Sequence, residues 1–130
     1  MKRFFKDCAG VAAIEFAMIA PVVIALFTGI IQFGFVLFIQ NHMVDVARDA
    51  ARRFAVGETT QAETVQFAQA TLINWNVTYT VTVTPPNPSD LNDNDVTVDI
   101  SLPRSHAAIA DIFGLFQSGT LNASVTMLTE

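Results

Sequence analysis

Residues 10–39 read GVAAIEFAMIAPVVIALFTGIIQFGFVLFI, and the reading of this stretch decides how the remaining chain must be organised. From Phe16 to Ile39 no side chain ionises, and Thr28 and Gln32 are the only clearly polar residues. Roughly 20 apolar residues make a helix long enough to cross a bilayer, so the stretch reads as a membrane-crossing helix. One residue is out of keeping with that reading. Glu15 places a carboxylate just inside the start of the run, where an unpaired one costs about 2–3 kcal/mol and is usually kept for function. The plainer alternative is an interfacial residue that points to the headgroups.

The flanks orient the helix. Lys2, Arg3 and Lys6 all precede the apolar run, so the positive-inside rule predicts a cytoplasmic N-terminus and an extracytoplasmic C-terminal part. The whole chain has 130 residues and a formal charge of −5. Without residues 1–10 it would keep four basic and eleven acidic side chains. An acidic outer domain argues against nucleic acid as a partner and against docking on anionic lipid. The single cysteine, Cys8, has no internal partner for a disulfide and no lipobox before it.

Three kinds of N-terminal segment compete. A secretory signal needs a shorter apolar stretch closed by a small-residue cleavage site, and this run is too long and lacks the A-x-A site. A signal anchor fits the length. A prepilin-type leader, cut before the apolar run, accounts for more residues: a short basic leader ending in Gly10, then Val11, with Glu15 and Phe16 following as the fifth and sixth residues.

Beyond Ile39 the pattern turns amphipathic. Met43, Ala47, Ala50 and Phe54 share one helical face, while Asp45 with Arg48, and Asp49 with Arg52 and Arg53, stand at ion-pair spacing on the other. The membrane helix is thus expected to run on to about Val56 and to stop at Gly57. Pro21 predicts a local kink. Ala13, Ala17, Ala20, Gly29 and Gly34 offer small-residue surfaces for close helix approach.

Thr60 and Glu63 form a capping box before a second helix, which turns Val65, Ala68, Leu72 and Ile73 inward. The period then changes to two. Val77, Tyr79, Val81 and Val83 form one strand; Val96, Val98, Ile100 and Leu102 a second; Leu121, Ala123, Val125 and Met127 a third. A short helix is expected after Pro103, over HAAIADIFG. The fold class is α+β: a long N-terminal helix, and a small head of about three antiparallel strands with one or two short helices. The expected divisions are a leader at 1–10, a membrane helix at 11–39, its amphipathic extension at 40–57, and an extracytoplasmic head at 58–130.

The order of these elements resembles a known family. The start GVAAIEF is similar to the type IV pilin superfamily. The proline that follows, the glycine- and phenylalanine-rich stretch and the run Ala47-Arg48-Asp49-Ala50-Ala51-Arg52 narrow the resemblance to the TadE-like family of tight-adherence (Flp-type) pilus systems. Gln32 departs from it, since an acidic residue often stands there. The resemblance implies cleavage by an inner-membrane prepilin peptidase between Gly10 and Val11. It also implies a minor pilin (pseudopilin-like) role in pilus assembly or initiation, in the bacterial inner membrane or in or at the tip of a surface pilus. Glu15 would pair with the new Val11 ammonium of a neighbouring subunit, and Phe16 completes the motif. The implied partners are that peptidase, other minor pilins or the major pilin, the inner-membrane assembly platform and the lipid bilayer. The rival reading is an uncleaved single-pass membrane protein whose outer domain binds another envelope protein.

The residues carry no catalytic signature. There is no nucleophile elbow, no phosphate-cradling glycine loop and no carboxylate pair in the outer part, so an enzyme is not expected and no cofactor is implied. In Asp90-Leu91-Asn92-Asp93-Asn94-Asp95 oxygen-bearing residues stand at the alternate positions of a calcium loop, but Asp95 stands where its glycine belongs and Ser101 where its bidentate acid belongs. His42 and His106 have no neighbours at metal-ligand spacing and read as structural or solvated. Trp75 reads as core or membrane filling.

Overall fold

The computed structural model describes residues 8–73, 77–90, 93–107 and 118–129. Its dominant element is α1, Cys8–Ala55, a single helix of 48 residues with Pro21 inside it. At 1.5 Å per residue it is about 72 Å long, more than twice the thickness of a bilayer's hydrocarbon core. Only part of it can therefore lie in lipid. Pro21 itself is exposed.

The far end of α1 stops for a local reason. Gly57 adopts φ +72°, the left-handed region in which a Cβ is penalised. The Glu58 N–H donates to the Arg53 carbonyl and the Gly57 N–H to the Phe54 carbonyl, both at 3.0 Å. That pair of bonds is a complete Schellman cap, and it turns the chain back alongside α1. Helix α2, Gln61–Thr71, then starts on the expected capping box. The Thr60 N–H donates to the Glu63 carboxylate at 2.8 Å, and the Glu63 N–H donates to the Thr60 hydroxyl at 3.4 Å.

Three strands follow: β1, Thr80–Thr84; β2, Asp95–Pro103; and β3, Thr120–Leu128. They form one antiparallel sheet in the order β1-β2-β3. β1 begins three residues later than the Val77 expected from sequence. The β2–β3 register runs without a break from Asp95↔Leu128 to Pro103↔Thr120. Every second residue faces the helices, so Val96, Val98, Ile100 and Leu102 are fully buried, and Leu121 and Ala123 nearly so. The outward residues of the three strands are threonine, serine, asparagine, aspartate, a proline and Leu128. This is the alternation of an antiparallel sheet with one wet face.

α1 lies over β3 and β2, and α2 lies over β1. The α1 residues under the sheet are Ile39, Met43, Val46, Ala47, Ala50 and Ala51. Three of these six are alanines with no exposed surface at all, and their small size lets the helix backbone sit close to the strands. In α2 Thr64 and Ala68 are buried and Val65 is half-buried; just past its end Leu72 is buried and Ile73 half-buried. A four-residue helix, α3, Arg104–Ala107, follows β2 directly. The remainder of the helix expected over HAAIADIFG lies outside the described residues, as does Trp75. The α+β layout is the one expected.

Candidate functional site: the N-terminal turn and bare half of the long helix

α1 divides by burial into two halves. Between Gly10 and Ile31 no residue is buried; Ala20, Ala25 and Thr28 alone are half-covered. The helix that begins with this half is long and apolar enough to cross a membrane. Its exposed side chains include Phe16, Met18, Val22, Ile24 and Leu26. Thr28 satisfies its hydroxyl within the helix, donating to the Ile24 carbonyl at 2.8 Å, so it adds no unmet polar group to the span.

The four motif residues sit at the start of this half. Gly10 and Val11 lie near the start of the described part of α1. A Cβ on Gly10 would meet nothing within 4 Å. Val11 and Phe16 are 59% and 73% exposed. Glu15 stands one turn beyond Val11 on the same face. It is exposed and makes no hydrogen bond or ion pair among the described residues. An ionised carboxylate in so apolar a helix is costly when unpaired.

Gln32 marks where the head begins. It is 4% exposed, and its Nε2 donates to the Ala107 carbonyl at 3.2 Å. Eight residues further on, the Gln40 Nε2 donates to the Asn122 carbonyl at 2.7 Å. These two amides tie α1 to the base of the sheet. Both act as donors to a backbone carbonyl, which an ionised carboxylate cannot do. The departure from the family pattern at Gln32 thus has a specific structural use. Sequence reasoning did not assign it; the available signal was a lone amide in an otherwise uncharged run. Burial on α1 accordingly starts at Gln32, within the span assigned to the membrane from sequence.

The charged face of the upper half is exposed and carries ion pairs at the expected spacing. Arg48 pairs with Asp45 at 3.7 Å and Arg53 with Asp49 at 3.4 Å. The Arg53 guanidinium also stacks 4.4 Å above the centroid of the Phe67 ring, a cation–π contact that links α1 to α2. Asp49, Arg52, Arg53, Val56 and Glu58 border a shallow hollow of about 200 Å³.

His42 Nε2 lies 3.3 Å from the Thr71 carbonyl at the end of α2, a structural contact. His106 is exposed on α3. The Asp93 carboxylate accepts the N–H of Asn87 at 3.0 Å and that of Asp95 at 3.3 Å, so it braces its own loop. Among the described residues no three His, Cys, Asp or Glu stand together as a metal site. Two titrations respond to their surroundings. The Thr60 N–H, and then its hydroxyl, hold the Glu63 carboxyl below its ordinary range. Burial raises the Tyr79 phenol, which donates to the Ile73 carbonyl at 3.2 Å.

Residues 10–52 match the family described as TadE-like protein. That match covers the bare half of α1 and most of the half that carries the head. No curated protein and no solved structure matches the chain.

Proposed function

We propose, taking residues 10–52 as a TadE-like domain, that the protein is a minor pilin of a tight-adherence pilus system. In this reading a prepilin peptidase cuts between Gly10 and Val11. The bare half of α1 holds the product in the inner membrane, N-terminus inward, until it is recruited into an assembling or initiating pilus. The family match supports the coarse part, a place in such a pilus system. The single observation that carries the finer part is Glu15, exposed and without a partner among the described residues, one turn beyond Val11.

The chemistry follows from the cut. Hydrolysis of the Gly10–Val11 peptide frees an ammonium at the first residue of the remaining helix. That charge stands at the positive end of the helix dipole, where a cation is disfavoured and a carboxylate is stabilising. A neighbouring subunit's Glu15 supplies the carboxylate, and each charge removes the other's desolvation problem. Phe16 and the apolar side chains after it provide the packing surface, toward lipid before assembly and toward other pilins after it. The acidic head meets further components of the same machine, and the inner-membrane platform delivers the subunit.

The mass of the chain in membranes with active peptidase tests the cut. A product beginning at Val11 is expected; a chain still beginning at Met1 overturns the reading and favours an uncleaved membrane protein whose head binds an envelope partner. Glu15→Ala tests the pairing. It should insert and be cut normally yet lose assembly, whereas unchanged piliation would make the carboxylate incidental.

A further inference from the structure

The two outer strands of the sheet are finished very differently. Three hydrogen bonds fix which backbone groups of β3 point away from β2. Beyond either end of the ladder, Arg104 donates to the Gly119 carbonyl at 3.0 Å and Thr129 to the Asn94 carbonyl at 2.8 Å. Alternation between those ends directs Leu121, Ala123, Val125 and Met127 into the ladder with β2. Thr120, Asn122, Ser124, Thr126 and Leu128 therefore point their N–H and C=O groups to the free edge. The Gln40 bond to the Asn122 carbonyl confirms the phase from outside the sheet. Above Asn122 the row at Ser124, Thr126 and Leu128 has no partner among the described residues.

Edge strands are normally protected by shortness, charge, proline, a bulge or a covering element. β1 shows such protection. It has five residues, Pro85 and Pro86 follow it, and the Gln61 side chain on α2 donates to the Val83 carbonyl at 2.7 Å. β3 is nine residues long, holds no charge and no proline, and pairs with β2 without a bulge. Beside its free row Val125 and Met127 are only half-buried, and Leu128 is 73% exposed. The edge thus offers a row of backbone donors and acceptors together with an unfinished apolar margin.

We propose that the Ser124–Leu128 edge of β3 receives an extended strand from a different protein, which adds to the sheet as its fourth strand. Its alternate apolar side chains continue the inner layer beside Val125 and Met127, and the intervening ones lie beside Ser124 and Thr126 on the wet face. A second copy of this chain does not fit. Gln32 meets Ala107 past the end of β2, and Gln40 meets Asn122 near the start of β3, so β3 runs in the same sense as α1. Two copies crossing one membrane in the same direction present β3 edges that run parallel. The twofold pairing of identical edge strands is antiparallel. This inference is independent of whether Gly10–Val11 is cut.

Photocrosslinking side chains placed singly at Thr126 and Leu128, in the full-length protein in its own membrane, test it; Thr82 on β1 serves as the control. Adducts from Thr126 and Leu128 should map to positions two residues apart in one segment of another protein, with little from Thr82. Ser124→Pro removes one outward N–H at a place where an edge strand tolerates proline, and should lower adduct yield about tenfold. Ser124→Ala, which keeps the N–H, should change it less than twofold. Adducts only to a second copy, adducts without the two-residue register, no adduct, or equal effects of Pro and Ala overturn the proposal. The register readout needs no proline and decides the matter if that variant fails to fold.

Discussion

The two halves of α1 share one helix and one apolar character but solve opposite problems. From Gly10 to Ile31 the helix shows every face outward and leaves its apolar surface for lipid or for other subunits. From Gln32 to Ala55 the same backbone buries one face under its own sheet and charges the other. The difference lies in the distribution of small and polar residues. The upper half has Ala47, Ala50 and Ala51 where the strands approach, and amides at Gln32 and Gln40 where carbonyls need donors. The lower half has apolar residues on all sides, large ones interspersed with Ala13, Ala17, Ala20 and Gly29, a surface suited to lipid and to close helix approach.

A matched pair of substitutions separates the halves most sharply. Met43 has no exposed surface and Met18 is 74% exposed. Met43→Ala should lower unfolding stability of the full chain in detergent micelles by about 3 kcal/mol, whereas Met18→Ala should change it by less than about 0.5 kcal/mol. Equal effects would mean that the halves are not energetically distinct. Gln32, at the boundary, gives a smaller effect. Gln32→Leu should cost about 1 kcal/mol by leaving the Ala107 carbonyl without its donor, and Gln32→Glu should cost more, because a buried carboxylate would face that carbonyl. Thermal melts of the two variants side by side check the order.

The smallest expected effect is in the head and depends on pH. The Glu63 carboxyl is held below 4.5 in the folded chain. Its capping contribution is therefore fully present above about pH 4.5 and fades as pH falls through the lowered folded value. Glu63→Gln should flatten that part of the pH profile of the melting temperature. An unchanged acid slope would assign the loss to other groups.

Much of this was legible in the sequence, for identifiable reasons. The membrane run, the Thr60–Glu63 box, the stop at Gly57 and the three alternating strands are each encoded within a few residues, where local geometry governs. What was not legible depends on contacts distant in sequence. Gln32 gains its role from a carbonyl 75 residues away, and Arg53 its second role from a ring on another helix. Burial of Thr64 reflects the way α2 settles on the sheet, with its hydroxyl bonded to the Thr60 carbonyl at 2.8 Å; hydropathy alone favours Val65. For Gly10, Val11, Glu15 and Phe16 the sequence shows the motif and the structure shows their exposure. The proposed pairing of Glu15 with Val11 would form only between chains of an assembly.

Because α1 is unbroken from Cys8 to Ala55, it behaves as a crankshaft. At about 100° per residue, the side chains that hold the head project about a quarter turn around the axis from Glu15. Whatever fixes the azimuth of Glu15 therefore also fixes the direction in which the head and its β3 edge face. One residue inserted between Phe16 and Ile31 would swing the head by about 100° and lift it by about 1.5 Å, with every contact inside the head left intact.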